Sequence, residues 1–272
     1  MKLSEAAAIL SAAGIESARY EARALFAHYT GVSRHLLMVD DLESSDPTLI
    51  DAIKKRAERT PLQYLLGEVG FYRESYKVSP DCLIPREDTE VLVDYAVKAL
   101  PTGARFIDLC TGSGCVAISV LNNTVGTTAV ATDVSACALR VAEENARRIG
   151  VAERLTLFES DVLADEPPFD QLFDAILSNP PYIARSLYEG LAPEIFHEPK
   201  NAFVGGEVGD EFYRAITPKY KALLKRGGFI GFEIGYDQAD ALREIANNCG
   251  MSVRIINDLS GNPRVAILKN EP

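Results

Sequence analysis

Four consecutive residues, Asn179-Pro180-Pro181-Tyr182, follow the apolar run 173–178. They suit the methylation of a planar nitrogen. An amide or exocyclic amino nitrogen is a poor nucleophile, because its lone pair is delocalised. A site that accepts hydrogen bonds from both N–H bonds holds such a nitrogen in line with an incoming methyl group. The Asn179 side-chain oxygen and the Pro180 carbonyl are two acceptors of that kind. Proline fixes its own φ and biases Asn179 toward an extended conformation, so both acceptors are set before a substrate arrives. The nitrogen becomes cationic as the methyl arrives, and hydrogen bonds that strengthen only then accelerate the step. Tyr182 can stack on a flat amide or base; an aromatic at the rim of the site is the plainer reading.

A second stretch, Asp108-Leu109-Cys110-Thr111-Gly112-Ser113-Gly114, lies between an apolar run and a helical pattern. Glycines let the backbone turn sharply and approach a ligand closely. Gly112, Gly114 and Ala117 also fit the dinucleotide fingerprint G-x-G-x-x-A. Asp133 stands 19 residues past Gly114, where a carboxylate can accept from both hydroxyls of an adenosine ribose; a helix N-cap is its plainer role. Asp161 can lie beside an adenine with Val162 against its face, or simply be a turn acid. Taken by themselves, these acids and glycines leave a dinucleotide and S-adenosylmethionine equally open.

The elements that must position these residues fall into two groups. Residues 1–70 read as helix after helix. Ser17 starts a helix through Tyr29 with Tyr20, Ala24 and Ala27 on one face, and Ser33 a short one holding Leu36 and Leu37. Asp46-Pro47 opens a third with Leu49, Ile50 and Ile53. Thr60–Gln63 has the capping-box spacing and Gly67 fits a stop. Residues 71–85 read as a β-hairpin linker turning at Ser79-Pro80-Asp81. From 86 to 272, helices at about 88–100, 115–122, 136–149, 210–225 and 237–248 alternate with strands at about 105–109, 128–132, 154–158, 173–178, 228–234, 252–257 and 264–268. That alternation predicts an α/β domain with a mainly parallel sheet covered on both faces. The last two strands are too close in sequence for a crossover, so they pair antiparallel. The outcome is the seven-stranded, Rossmann-like methyltransferase sheet.

Composition excludes several other classes. Hydrophobic residues are 47% and charged ones 25%, as in globular proteins. The net charge of −11 disfavours phosphate-backbone binding. Residues 1–70 carry eight basic and ten acidic side chains, so most of that charge lies beyond them. Five cysteines without a C-x-x-C pair, and three histidines without helical spacing, argue against a disulfide framework or a metal site. No apolar run reaches the ~18 residues of a membrane span, and Glu5 interrupts what would be the core of a signal peptide. The expectation is a cytoplasmic monomer with no metal, membrane or nucleic-acid partner.

The tetrapeptide 179–182 after a fourth strand looks like the amino-methyltransferases, which modify adenine, cytosine or glutamine nitrogen. Further stretches narrow the likeness: Pro61-Leu62-Gln63-Tyr64 with Gly67, Leu83-Ile84-Pro85-Arg86-Glu87-Asp88-Thr89-Glu90, Asp108–Gly114, His197-Glu198-Pro199, Gly205-Gly206-Glu207 and Asn262-Pro263-Arg264-Val265. Together, over the whole length, they resemble the HemK family of peptide chain release factor glutamine methyltransferases. The resemblance implies S-adenosylmethionine as donor. As acceptor it implies the glutamine of the Gly-Gly-Gln loop of class I release factors. The helical N-terminal domain can recognise that partner protein at a distance from the cleft or serve only as a stabilising lid. It places Cys110, Thr111, Gly112, Ser113, Gly114, Asp133, Val162 and Asn179 at cofactor-contacting positions, with Asp108 and Asp161 beside them. Asn179, Pro180, Pro181 and Tyr182 fall on the substrate-amide site, Asn179, Pro180 and Tyr182 being the catalytic set. Cys110 departs from the family's usual glycine, and its side chain must point away from the methionine moiety. A sister family, acting on a glutamine of a large-subunit ribosomal protein, often has Asp-Leu-Cys-Thr-Gly-Ser-Gly here. The Pro-Arg-Glu-Asp-Thr-Glu segment and the stretch after Tyr182 look more like the release-factor branch. Adenine methylation of nucleic acid is the other alternative. Arg86 and Glu90 can close over the site or form a helix-start ion pair. Phe71 and Glu233 can reach the cleft or serve the core, and His197 and Glu198 are assigned no chemistry.

Overall fold

The computed structural model describes residues 1–33, 35–167 and 169–270. They form two compact units, Met1–Glu68 with Ala192–His197, and Val69–Leu191 with Glu198 onward.

The first unit is helical: α1 (Leu3–Ala12), α2 (Ala18–Thr30), α3 (Leu36–Val39), α4 (Pro47–Ala57) and α5 (Leu62–Leu66). Asp46 caps α4 as its sequence suggests, Oδ1 accepting from the Thr48 N–H at 2.8 Å ahead of Pro47 in the first turn. Gly67 ends α5 in the left-handed conformation, φ 74°. The face of α2 that packs inward carries Ala18, Ala22, Leu25 and Phe26, together with Ala24, whereas Tyr20 is exposed. Ser17 does not cap α2; its hydroxyl donates to Glu21 at 2.8 Å. Arg56 is buried and pairs with Glu21 and with Glu194, the latter at 3.1 Å, and Arg59 meets Glu194 at 3.0 Å. Glu194 lies on the returning segment Ala192–His197.

The second unit opens, from Val69 on, within a hairpin of β1 (Glu68–Phe71) and β2 (Glu74–Lys77). Its turn falls at Tyr72-Arg73 and not at Ser79–Asp81. Tyr72 holds φ 56°, and its N–H donates to Glu90 Oε1 at 2.7 Å. A turn residue that is neither glycine nor asparagine gives no sequence signal, so the Ser-Pro-Asp cluster attracts the assignment instead. Phe71 is buried edge-on to Tyr76, with ring centres 5.8 Å apart, and belongs to the core.

Helix α6 (Glu90–Ala99) leads into a seven-stranded sheet. Its strands are β3 (Arg105–Leu109), β4 (Thr128–Asp133), β5 (Leu155–Glu159), β6 (Phe173–Ser178), β7 (Leu224–Glu233), β8 (Ser252–Asn257) and β9 (Pro263–Lys269), in the order β5-β4-β3-β6-β7-β9-β8. All pairs are parallel except those of β9, which runs against both β7 and β8. The intervening helices are α7 (Cys115–Asn122), α8 (Ala136–Ile149), α9 (Glu211–Lys221) and α10 (Ala239–Asn248). Alternation along the strands sorts the core into two layers. Phe106, Ala175 and Leu177 face α6, α7 and α8, whereas Ile107, Leu109, Ile176 and Ile230 face α9 and α10. The chain runs outward from β3 through β4 and β5, then restarts at β6 on the other side. The crevice beyond the carboxyl ends of β3 and β6 is therefore where such a sheet binds its ligand.

Candidate active site

The loop after β3 is fixed from below. Asp108, fully buried, accepts from the Thr111 hydroxyl at 2.6 Å and from the Ala117 N–H at 3.1 Å through Oδ2. Its Oδ1 is buried with no hydrogen-bond partner among the described residues. Burial lifts this carboxyl to about 7, against those two bonds. Gly114, φ 81°, admits no side chain: a Cβ there would lie 2.7 Å from Ile118 and 3.0 Å from Ala142. It lets α7 and α8 pack closely. Cys110 takes the left-handed conformation too, φ 58°, without being glycine. Its thiol lies beside Ser178 and the apolar layer of α9, and burial pushes it up.

Asp133, at the end of β4, ties the neighbouring loops together. Its Oδ2 accepts the Gly112 N–H and its Oδ1 the Ser135 N–H, both at 2.9 Å. Ser135, not Asp133, caps α8. Each Asp133 oxygen keeps a further lone pair. Burial raises its pKa, opposed by those N–H groups. Asp161 and Val162 follow β5 on a loop whose carbonyls at Val162, Leu163 and Asp165 receive the Lys219 ammonium of α9 at 3.4, 3.2 and 3.0 Å.

These residues surround a cavity of about 440 Å³, the size of a cofactor site. It brings together Cys110, Gly112, Asp133, Asp161, Val162, Asn179 and Pro181. A cleft of about 30 Å³ beside it adds Asp108, Thr111 and Ser113, and it shares Asn179 with the larger cavity. Gly114, Pro180 and Tyr182 line neither. Sequence reasoning missed Cys82, Leu83, Arg185, Glu211 and Phe212 in the wall, because nothing in their spacing marks them.

The turn after β6 is held next to the loop after β3, since Leu109 and Ser178 are register partners and the Ser178 hydroxyl donates to the Leu109 carbonyl at 2.8 Å. Asn179 Nδ2 donates to Thr89 Oγ1 at 3.1 Å. Neither Asn179 Oδ1 nor the Pro180 carbonyl receives a hydrogen bond among the described residues. Tyr182 points inward and its hydroxyl donates to Glu233 Oε1 at 3.3 Å. Its own carbonyl accepts from Gln238 Nε2 at 3.0 Å. Two glycines press on this turn: a Cβ at Gly205 would lie 2.3 Å from the Pro181 carbonyl oxygen, and one at Gly209 2.5 Å from that of Tyr182.

Comparison with known proteins fits this geometry. Residues 2–67 match the model of the PrmC N-terminal domain, and residues 87–208 that of the methyltransferase small domain. The release factor glutamine methyltransferase of Moorella thermoacetica is 38% identical over 270 residues, covering 96% of this chain and 95% of that protein. This chain belongs to the release factor glutamine methyltransferase family. The same enzyme of Geobacter sulfurreducens is 37% identical over 89% of this chain and 85% of its own. A methyltransferase of Pyrococcus furiosus shares the fold, with a TM-score of 0.54 over 72% of this chain and 89% of that one at 19% identity.

The remaining motif residues make contacts within the protein. Glu198 is buried, accepts the Ile84 N–H at 2.9 Å and pairs with Arg86. It thus ties the segment before α6 to the loop leading to Gly205. Burial raises the Glu198 pKa, opposed by Arg86 and the Ile84 N–H. Arg86 therefore has its partner in Glu198, and Glu90 serves the hairpin turn. Glu233 ends β7 fully buried, below the Asn179 turn. Arg264 joins Asp88 and Asp258, each at 3.2 Å, next to it.

Proposed function

We propose that this protein transfers a methyl group from S-adenosylmethionine to the side-chain amide nitrogen of the glutamine in the Gly-Gly-Gln loop of class I release factors. One observation carries the reading. Asn179 turns its NH2 toward Thr89, one N–H donating there, so its side-chain oxygen is left as an acceptor without a donor, and the adjacent Pro180 carbonyl is equally unspent. Two neighbouring acceptors without donors suit an incoming NH2 group.

The residues present fit the cofactor. The unpartnered Asp108 Oδ1 is a buried acceptor facing no donor of its own, suited to an ammonium group. The free lone pairs of Asp133 suit ribose hydroxyls, and buried Val162 offers an apolar surface to adenine. When bound, S-adenosylmethionine supplies an electrophilic methyl group. The protein's own part is positional. Asn179 Oδ1 and the Pro180 carbonyl accept the two N–H bonds of the amide and aim its nitrogen. They hold more tightly as that nitrogen becomes cationic, without acting as bases; the methylated amide then gives up its extra proton to water. Tyr182, turned toward Glu233, buttresses the turn from behind. The helical unit recognises the body of the release factor, and the protein works as a cytoplasmic monomer.

The test is incubation with labelled methyl donor and, separately, a class I release factor, a ribosomal protein fraction and DNA, with mass spectrometry of whichever takes the label. Label on the Gly-Gly-Gln peptide, absent when that glutamine is changed to alanine, supports the reading. Label only on ribosomal protein or adenine overturns it.

A further inference from the structure

Gln238 reaches the turn after β6 from a different element. It occupies the position before α10, yet its side chain makes no cap for that helix, a task for which short Ser, Thr, Asp or Asn side chains are suited. The side chain runs the other way, to four partners. Nε2 donates to the Tyr182 carbonyl at 3.0 Å and to the Gly209 carbonyl at 3.1 Å. Oε1 accepts the Gly235 N–H at 2.9 Å and lies 3.1 Å from the Tyr213 hydroxyl, which also reaches the Glu233 carbonyl. A primary amide has two hydrogens to give and two lone pairs to fill, and each of these has a partner at Gln238. The orientation of the amide is settled by its backbone partners. A main-chain N–H can only donate and a main-chain carbonyl can only accept, so the oxygen faces Gly235 and the NH2 faces Tyr182 and Gly209. One side chain thereby joins the turn after β6, the loop before α9 and the turn after β7.

The grip on Tyr182 bears on the chemistry two residues upstream. The Pro180 carbonyl receives no hydrogen bond among the described residues, so its direction is set by what holds the chain on either side. Upstream, the Ser178 hydroxyl donates to the Leu109 carbonyl at 2.8 Å. Downstream, the Tyr182 carbonyl is held by Gln238 and crowded by Gly209, where a Cβ would lie 2.5 Å from its oxygen. Between these anchors Pro180 and Pro181 have φ locked by their rings, which leaves few torsions to turn. We propose that Gln238 is a positioning residue for methyl transfer: by gripping the Tyr182 carbonyl it sets the direction of the Pro180 carbonyl, the main-chain acceptor of the substrate amide. This rests on the reading of Pro180 given above. The Asn179 oxygen is oriented separately, by the N–H that Asn179 donates to Thr89. The two acceptors are therefore aimed from two different elements.

Two measurements test the anchor. In the first, Gln238→Met keeps the length of the side chain and removes its polar atoms. Gln238→Glu keeps an oxygen for the Gly235 N–H and sets a second oxygen against the Tyr182 and Gly209 carbonyls. At pH 8 both variants are expected to lose about 10- to 100-fold in kcat, with the KM for the release factor and the cofactor Kd by calorimetry each within threefold of the parent. A parental kcat in either variant, or a loss that falls on KM or Kd instead, overturns the proposal. The second measurement needs neither methyl donor nor acceptor. The Ile183 N–H donates to the Phe203 carbonyl and the Gly205 N–H to the Ile183 carbonyl, at 2.9 and 3.0 Å, so both amides report on the chain just past Tyr182. In Gln238→Met their hydrogen exchange should quicken about tenfold or more, while Ile107 and Ile176 in the central strands stay within threefold of the parent. Parental exchange at Ile183 and Gly205, or equal loosening of the central strands, refutes the anchor. This result stands even if release factors prove not to be the substrate.

Discussion

Asn179 and Asp133 meet in one cavity, and the proposed reaction gives them different tasks. Asn179→Ala removes one of two acceptors that strengthen as the nitrogen becomes cationic. It should lower single-turnover rates by roughly 10²–10³ and leave cofactor affinity within a few-fold by calorimetry; near-normal rates would show that the oxygen is not used. Asp133 also braces the Gly112 N–H and the Ser135 N–H. Asp133→Ala should therefore weaken cofactor binding tenfold or more while slowing bound-state chemistry far less. Equal affinity in calorimetry would confine Asp133 to bracing the loops. At this scale the sequence was legible in where residues fall: an asparagine before two prolines and an acid closing a strand could be read as neighbours of one cavity. Three placements could not. Gly114 serves helix packing, which depends on Ile118 and Ala142 and not on its neighbours in sequence. Tyr182 turns to a carboxylate 51 residues away. Cys110 adopts a conformation that its own chemistry disfavours, and only the surrounding loop imposes it.

Among the elements, the site depends on backbones in close approach more than on helix or strand ends. Gly205 lies against the Pro181 carbonyl with no room for a Cβ. Gly205→Ala must push the loop or the turn apart. The expected result is a turnover loss of tenfold or more with cofactor affinity kept, and a Tm several degrees lower. An alanine variant with parental Tm and rate would show that the loop gives way freely. Strand boundaries were legible to within a residue or two for β3, β4, β6 and β8, because near-continuous apolar runs bounded by turn residues leave little choice. The hairpin turn was not, since Tyr72 carries no turn signature and its support, Glu90, lies 18 residues downstream. The start of β7 was misplaced as well. The pairing of β6 with β7 shifts register between Phe173 and Ala175, and Gly227, φ 77°, reads as a break in sequence although the strand continues past it.

For the molecule as a whole, buried carboxylates set a pH dependence. Asp108 and Glu233 both stand near 7 in the folded protein, above the ~4 of an unfolded chain. The folded state holds their protons longer, so the stability they contribute is complete below about pH 4 and is lost as pH rises to about 7. Glu233→Gln removes one of the two. Relative to the parent, this variant should gain stability between pH 5 and pH 8, by as much as about 3 kcal/mol, as read by urea midpoints. A difference that stays constant across that range would mean that Glu233 does not titrate there. The discontinuity of the helical unit has a separate consequence. Glu194 reaches Arg56 and Arg59 from a stretch more than a hundred residues downstream. A fragment cut after residue 68 keeps both guanidinium groups and discards the anion they share. Excising the N-terminal domain for binding work would leave Arg56 its Glu21 but strip Arg59 of its carboxylate, so weak binding by such a fragment would in part report the cut itself.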